Sequence, residues 1–196
     1  MAHDVLYPTP MRRPVLALVL VAATAATASA GGYVGLGIGN GANSSGGLSV
    51  HPAGRTFRLM GGYEIGRDVL HGRFAVEALG TRYDMVREDG HEYTGTTLAL
   101  AGRYNFGLGY NFYLYARLGI QYTTLEPKVY EEPRSGIGVL FAPGVEYRIP
   151  IGAMALAFFI DGTVTHASMS DPSIPNSPAV GDLTSTYWTL GAAFYF

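Results

Sequence analysis

The chain has 196 residues, of which 48% are hydrophobic, 14% charged and 12% aromatic, with 27 Gly, 14 Tyr, 9 Phe, no Cys and a formal charge of −2. Charges fall well below the usual quarter of a globular sequence, and a mean hydropathy of +0.16 is too apolar for a disordered chain and too dilute for a bundle of membrane helices. This is not the composition of a soluble enzyme, it carries no basic footprint for nucleic acid, and the lack of cysteine excludes disulfide scaffolds, thiolate zinc sites and cysteine nucleophiles.

Residues 1–30 read as a signal peptide. Arg12 and Arg13 supply a basic stretch, Val15 to Val21 an apolar core, and Ala28-Ser29-Ala30 the small residues that signal peptidase requires. The apolar run is shorter than the roughly 20 residues of a spanning helix, which argues against an anchor. Asp4 and two prolines precede the basic pair, so Met11 is an alternative start. Cleavage after Ala30 leaves one domain, residues 31–196.

From there the pattern is alternation with period two. An opening strand is expected around Tyr33 to Asn40. Phe57, Leu59, Gly61, Tyr63 and Ile65 follow, then Phe74, Val76 and Ala78, then Leu98, Leu100, Gly102 and Tyr104, each apolar or small at every second position. Phe112 to Tyr122, Ile137 to Tyr147, Leu156 to Ile160 and Trp188 to Phe196 continue in the same manner. Such runs are strands with one apolar and one mixed face. The count is eight, each about 9 to 13 residues, a length that suits a tilted strand crossing a bilayer. An even number of antiparallel strands can close on itself, and lipid demands closure because it offers an open edge no hydrogen bonds.

The connections alternate in length. Gly66 to His71, Gly107 to Asn111 and Arg148 to Gly152 are short, whereas Gly41 to Gly54, Tyr83 to Tyr93, Thr124 to Ser135 and Thr165 to Asp182 are long and polar. Short turns on one rim and long loops on the other are the pattern of a transmembrane barrel of the outer membrane. The fold class is therefore all-β, an eight-stranded antiparallel up-and-down barrel. Tyr63, Tyr104 and Tyr147, 41 and then 43 residues apart, precede the short turns and are expected to ring the barrel at the headgroup boundary. Gly35, Gly37, Gly39 and Gly41 also alternate; no helix pattern follows to make a phosphate loop, so they leave space beside bulky lumen residues.

These strands, the Gly-x-Tyr strand ends and the Phe74-to-Glu77 segment resemble the small outer-membrane β-barrel family that includes opacity proteins and the OmpA transmembrane domain. The likeness covers residues 31–196, although Ala78-Leu79-Gly80 departs from the family's A-G-Y. It implies residence in the outer membrane of a Gram-negative bacterium, with outer-membrane lipid and lipopolysaccharide as surroundings. It further implies that Trp188, Leu190, Ala192, Phe194 and Phe196 serve as the terminal signal read by the barrel assembly machinery. No peptidoglycan-binding domain follows Phe196, so cell-wall anchoring is not implied.

Parity assigns to the lumen Arg58, Arg73, Arg103, Arg117 and Arg148, with Glu64, Glu77, Glu146 and Asp161 and the aromatics Tyr113, Tyr115, Phe159, Tyr187 and Tyr195. An eight-stranded interior is only wide enough for side chains to fill, and buried charges there should pair, Arg117 with Glu77 or Glu146. The alternative is a narrow, porin-like path for ions or small solutes lined by the same charges. The long loops carry nine acids against three bases, a balance of −6 that argues against heparin-like or nucleic-acid partners.

One enzyme motif is present. His166-Ala167-Ser168 is similar to the H-x-S of outer-membrane lipid A deacylases, but Met169 stands where that family has Asn and no Glu follows His166. His51, His71 and His91 lack metal-ligand spacing, so no metal or cofactor is expected. The reading is a monomeric, side-chain-filled barrel with a structural or surface-interaction role.

Overall fold

The computed structural model describes residues 31–45, 48–51, 55–69, 72–87, 92–128, 133–170 and 181–196. The expected signal peptide lies outside them. The strands are β1 (Gly32–Ser45), β2 (Leu48–His51), β3 (Arg55–Val69), β4 (Gly72–Arg87), β5 (Glu92–Gly109), β6 (Phe112–Pro127), β7 (Arg134–Ile151), β8 (Met154–Ser170) and β9 (Gly181–Tyr195). Each long strand pairs antiparallel with its neighbours in chain order, and β1 closes the ring against β9 from Tyr33↔Tyr195 to Ser45↔Leu183. Eight long strands form the barrel.

Two expectations are corrected. The long strands run 14 to 18 residues rather than 9 to 13. On β5 the apolar outward positions end at Leu98, yet pairing continues through Thr94↔Glu126 to Tyr93↔Pro127, so strands project past the apolar belt on the long-loop side. Backbone pairing is satisfied there as well as in lipid, and nothing ends it at the membrane boundary. The first long connection is likewise not all loop, because β2 folds back on β1 and reaches β4 at Val50↔Arg87.

The opposite rim is tight. Gly109 pairs with Phe112 across Tyr110 and Asn111, whose φ values of +49° and +66° make the two-residue mirror-image turn that matches strand twist. Gly152, with φ +63°, opens the turn between Ile151 and Met154. Asparagine and glycine tolerate this backbone; Tyr110 adopts it too, its ring almost fully exposed.

Two faces follow from the alternation. Leu36, Ile38, Leu100, Leu118, Ile120, Ile137, Phe141, Ile160 and Leu190 all stand outward and exposed, the belt that meets lipid. Tyr63 and Tyr147 also face out, beside the short turns. Inside, Met60, Tyr115, Leu140, Phe159 and Tyr195 belong to one buried cluster with small residues around them. A Cβ on Gly37 would lie 3.2 Å from Phe159 Cζ, and one on Gly191 only 2.4 Å, so these glycines make room for that ring.

Candidate functional site

The lumen is lined by every second residue of each strand, and its lower half, toward the short turns, holds the charges. Arg58 of β3 donates to both oxygens of Asp161 on β8 at 2.8 Å and to Thr163 Oγ1 at 2.7 Å. Asp161 accepts in turn from Arg117 of β6 at 2.5 Å, and Arg117 Nε donates to Glu77 on β4. Glu77 accepts from Arg103 of β5 at 3.1 Å, Arg103 donates to Glu146 of β7 at 2.7 Å, and Glu146 accepts from Arg148 at 2.5 Å. Arg148 reaches Glu64 on β3 at 2.7 Å, and Glu64 accepts from Arg73 at 3.1 Å. Nine side chains thus alternate in sign along one ladder, Arg58, Asp161, Arg117, Glu77, Arg103, Glu146, Arg148, Glu64 and Arg73. Every acid stands between two arginines.

Tyrosines complete the three deepest acids. Tyr33 donates to Glu77, Tyr115 to Asp161 at 3.1 Å, and Tyr195 to Glu146 at 2.9 Å. The rings also stack on the guanidinium groups, with Arg103 4.0 Å from the Tyr115 centroid and Arg148 4.0 Å from that of Tyr195. Asn105 accepts from Arg103 Nε at 2.6 Å. Each of the eight long strands contributes at least one member to this network. Burying isolated charges would cost several kcal/mol apiece, and the doubled contacts offset that cost.

Above the ladder the lumen changes character. Thr56, Thr81, Thr97, Thr123, Thr163 and Thr165 are buried there, with Thr97 and Thr123 hydroxyls 3.0 Å apart. Beyond them Tyr83, Leu125, Ala167, Met169 and Leu183 form a second apolar cluster at the long-loop end, flanked by Tyr93. Below the ladder a vestibule of about 650 Å³ opens at the short-turn mouth, lined by Glu64, Arg73, Tyr113, Arg148 and Tyr195 among others.

The sequence-predicted residues therefore fall as follows. Arg58, Glu77, Arg103, Arg117, Glu146 and Asp161 lie within the buried ladder. Arg73 ends the ladder but is not buried; its side chain is 45% exposed at the mouth, because Gly72 pairs directly with Val69 and leaves it only one residue inside the turn. Arg117 takes Glu77 and Asp161, and Glu146 is held by Arg103 and Arg148 instead. Tyr33, Asn105 and Thr163 were not singled out, although Tyr33 shares parity with the inward glycines Gly35 and Gly37. Trp188, Leu190 and Phe194 face lipid from β9. His166 and Ser168 stand together on the outer wall, but His166 Nδ1, where a triad acid would bind, contacts Thr184 Oγ1 at 3.0 Å. His71 and His91 lie outside the described residues.

The closed barrel is what the comparisons with known proteins identify. The family model for the outer membrane protein beta-barrel domain matches residues 14–196. The chain belongs to that family. A search of curated proteins finds no match. Among solved structures, Ail, the attachment invasion locus protein of Yersinia pestis, superposes with a TM-score of 0.55 at 17% identity, covering 86% of this chain and all of Ail. Neisserial surface protein A superposes with a TM-score of 0.56 at 20% identity, over 84% of this chain and 97% of that one. Ail has also been solved with the heparin analogue sucrose octasulfate, at a TM-score of 0.53. These likenesses establish the shared fold, and family membership places the chain in the Gram-negative outer membrane.

Proposed function

We propose that this protein is a side-chain-filled, monomeric outer-membrane barrel without a catalytic centre, whose task is structural or interactive, serving envelope integrity, adhesion or ligand binding through the long-loop rim. The observation that carries this reading is the ladder: the eight long strands each commit an inward side chain to one connected network, and a separate apolar cluster lies beyond its far end. A lumen so filled with paired side chains suits a rigid support better than a water-filled passage. Acidic long loops give no reason to carry Ail's heparin analogue over to this chain. Purified protein in planar bilayers is expected to be electrically silent; stepwise, porin-sized currents would reject the proposal.

A narrow ion path is the second reading, favoured by the vestibule and by the half-exposed Arg73 at its edge. It predicts small currents that grow when the ladder is cut by Arg103→Ala, and the same recording decides it. The alternating apolar residues Trp188, Leu190 and Phe194 of β9, with Phe196 just after it, are proposed as the segment that the assembly machinery engages.

Orientation follows from the strand extensions, since long polar projections belong to the cell surface. Protease added to intact cells should cut in 171–180 and spare the Tyr110–Asn111 turn until the outer membrane is opened. Cutting at that turn in sealed cells would reverse the barrel.

A further inference from the structure

A charge count along the ladder leaves one cation over. Its five arginines face four acids, and because the signs alternate from Arg58 to Arg73 the surplus falls at the two ends. The ends are not equivalent. Arg58 is buried and closed off by both oxygens of Asp161 and by Thr163. Arg73 opens half-exposed into the vestibule, and among the described residues its one ion pair is a single contact from Nη1 to Glu64 Oε2 at 3.1 Å.

Glu64 is already divided among several donors. It also accepts from Arg148 Nη2 at 2.7 Å and from Asn105 Nδ2 at 3.3 Å, and its side chain is only 8% exposed. Arg148 in turn is fixed against the rings of Tyr113 and Tyr195, whose centroids lie 4.3 and 4.0 Å from its Cζ. Among the described residues the vestibule thus presents two guanidinium groups and one covered carboxylate. Its walls are of another kind, with Tyr113, Pro150, Ala155 and Phe196 lining them. A concave, largely apolar chamber with a few convergent polar groups is the usual form of a small-molecule site, and a volume of about 650 Å³ lies within the usual range.

We propose that the vestibule binds a small organic monoanion, a carboxylate head on an aromatic or aliphatic body, with the head on Arg73 and the body against Tyr113 and Pro150. One surplus charge is balanced by a monoanion, and the planar oxygens of a carboxylate match the guanidinium fork. A phosphate ester, near −2 in charge, would bring excess negative charge beside Glu64. The orientation argued above assigns the site to the periplasmic side; the site itself does not depend on it.

The test uses the full barrel in phosphatidylcholine nanodiscs, with para-fluorobenzoate as the probe and fluorine NMR line broadening as the readout, corrected against protein-free discs. The parent should bind this acid about tenfold more tightly than the uncharged para-fluorobenzamide, the factor expected for one charge-assisted contact. Arg73→Gln should remove that advantage and leave the amide unaffected. The ladder survives the change, because Glu64 keeps Arg148 and Asn105. Ala155→Phe, which keeps every charge and fills the wall beside Pro150, should abolish binding of both probes. Arg82→Gln, on the outer wall of β4, should change nothing. Cold electrophoresis in detergent confirms that the variants are folded barrels.

Equal affinity of the parent for acid and amide, or of parent and Arg73→Gln for the acid, would overturn the site. A loss on Arg82→Gln matching that on Arg73→Gln would reduce the attraction to general surface charge, and acid binding that survives Ala155→Phe would put the ligand elsewhere; either result overturns the proposal. Para-fluorophenyl phosphate should bind no more tightly than the benzoate, and tighter binding would overturn the carboxylate assignment. The bilayer recording tests the filled lumen separately, so a conducting barrel that still holds the acid through Arg73 would reject that reading and keep the site.

Discussion

Glu77→Leu is expected to cost the barrel about 3–5 kcal/mol, the range for breaking a buried ion pair by removing one partner, and to cost more than Arg117→Leu. The ladder explains the order. It holds five cations and four anions, so every acid has two cationic neighbours and the network can spare one arginine. Without Arg117 it splits into two neutral pieces, Arg58 with Asp161 and an alternating run from Glu77 to Arg73, and no acid is stranded. Without Glu77 the imbalance grows to two positive charges, Arg103 and Arg117 face each other with one partner fewer, and the buried Tyr33 hydroxyl loses its acceptor. Adding Arg117→Leu to Glu77→Leu should therefore restore part of the loss. Urea unfolding in lipid vesicles can be followed through Trp188, the single tryptophan, which faces lipid. Equal costs for the two single changes, or no recovery in the double, would mean the charges are not coupled as drawn.

Which residues face the lumen was readable from the sequence, because strand side chains alternate sides and one face had to be apolar. The signal was strong enough to run through Pro143, a residue that lacks the N–H a ladder needs; pairing between β7 and β8 passes over Ala142 and Pro143 and resumes at Gly144↔Asp161. Parity does not give height along the barrel axis. Arg117 meets Asp161 on β8 rather than Glu146 on β7 because strand stagger, set by closure of the whole ring, decides which inward residues share a level. The same gap hid Tyr33: its inward direction follows from its neighbours, but its place over Glu77 depends on β1 meeting both β3 and β9. Strand ends were misjudged for another reason. Apolar alternation marks only the part of a strand that meets lipid, and the paired backbone beyond it is free to be polar, as Thr94, Glu92 and Glu126 are.

Leu118 and Arg117 are adjacent in sequence and opposite in environment, the first 68% exposed to the bilayer side and the second fully enclosed. Leu118 lies near the middle of the apolar run on β6 that stretches from Phe112 to Tyr122. Leu118→Arg should accordingly cost roughly 2–4 kcal/mol, the price of a cation at the bilayer midplane. Ile137 on β7 is as exposed, at 72%, but is the last apolar outward residue before Ser135. There the arginine can extend its stem and reach headgroups, so Ile137→Arg should cost only about 0–1 kcal/mol. The comparison uses one chemistry on one face at two depths, which removes any contribution from the loss of an apolar side chain as such. Urea titrations of both variants in the same vesicles give the difference directly. A larger cost at Ile137 than at Leu118 would move the membrane toward the long-loop rim; equal small costs would mean that this face of the barrel does not meet lipid at all.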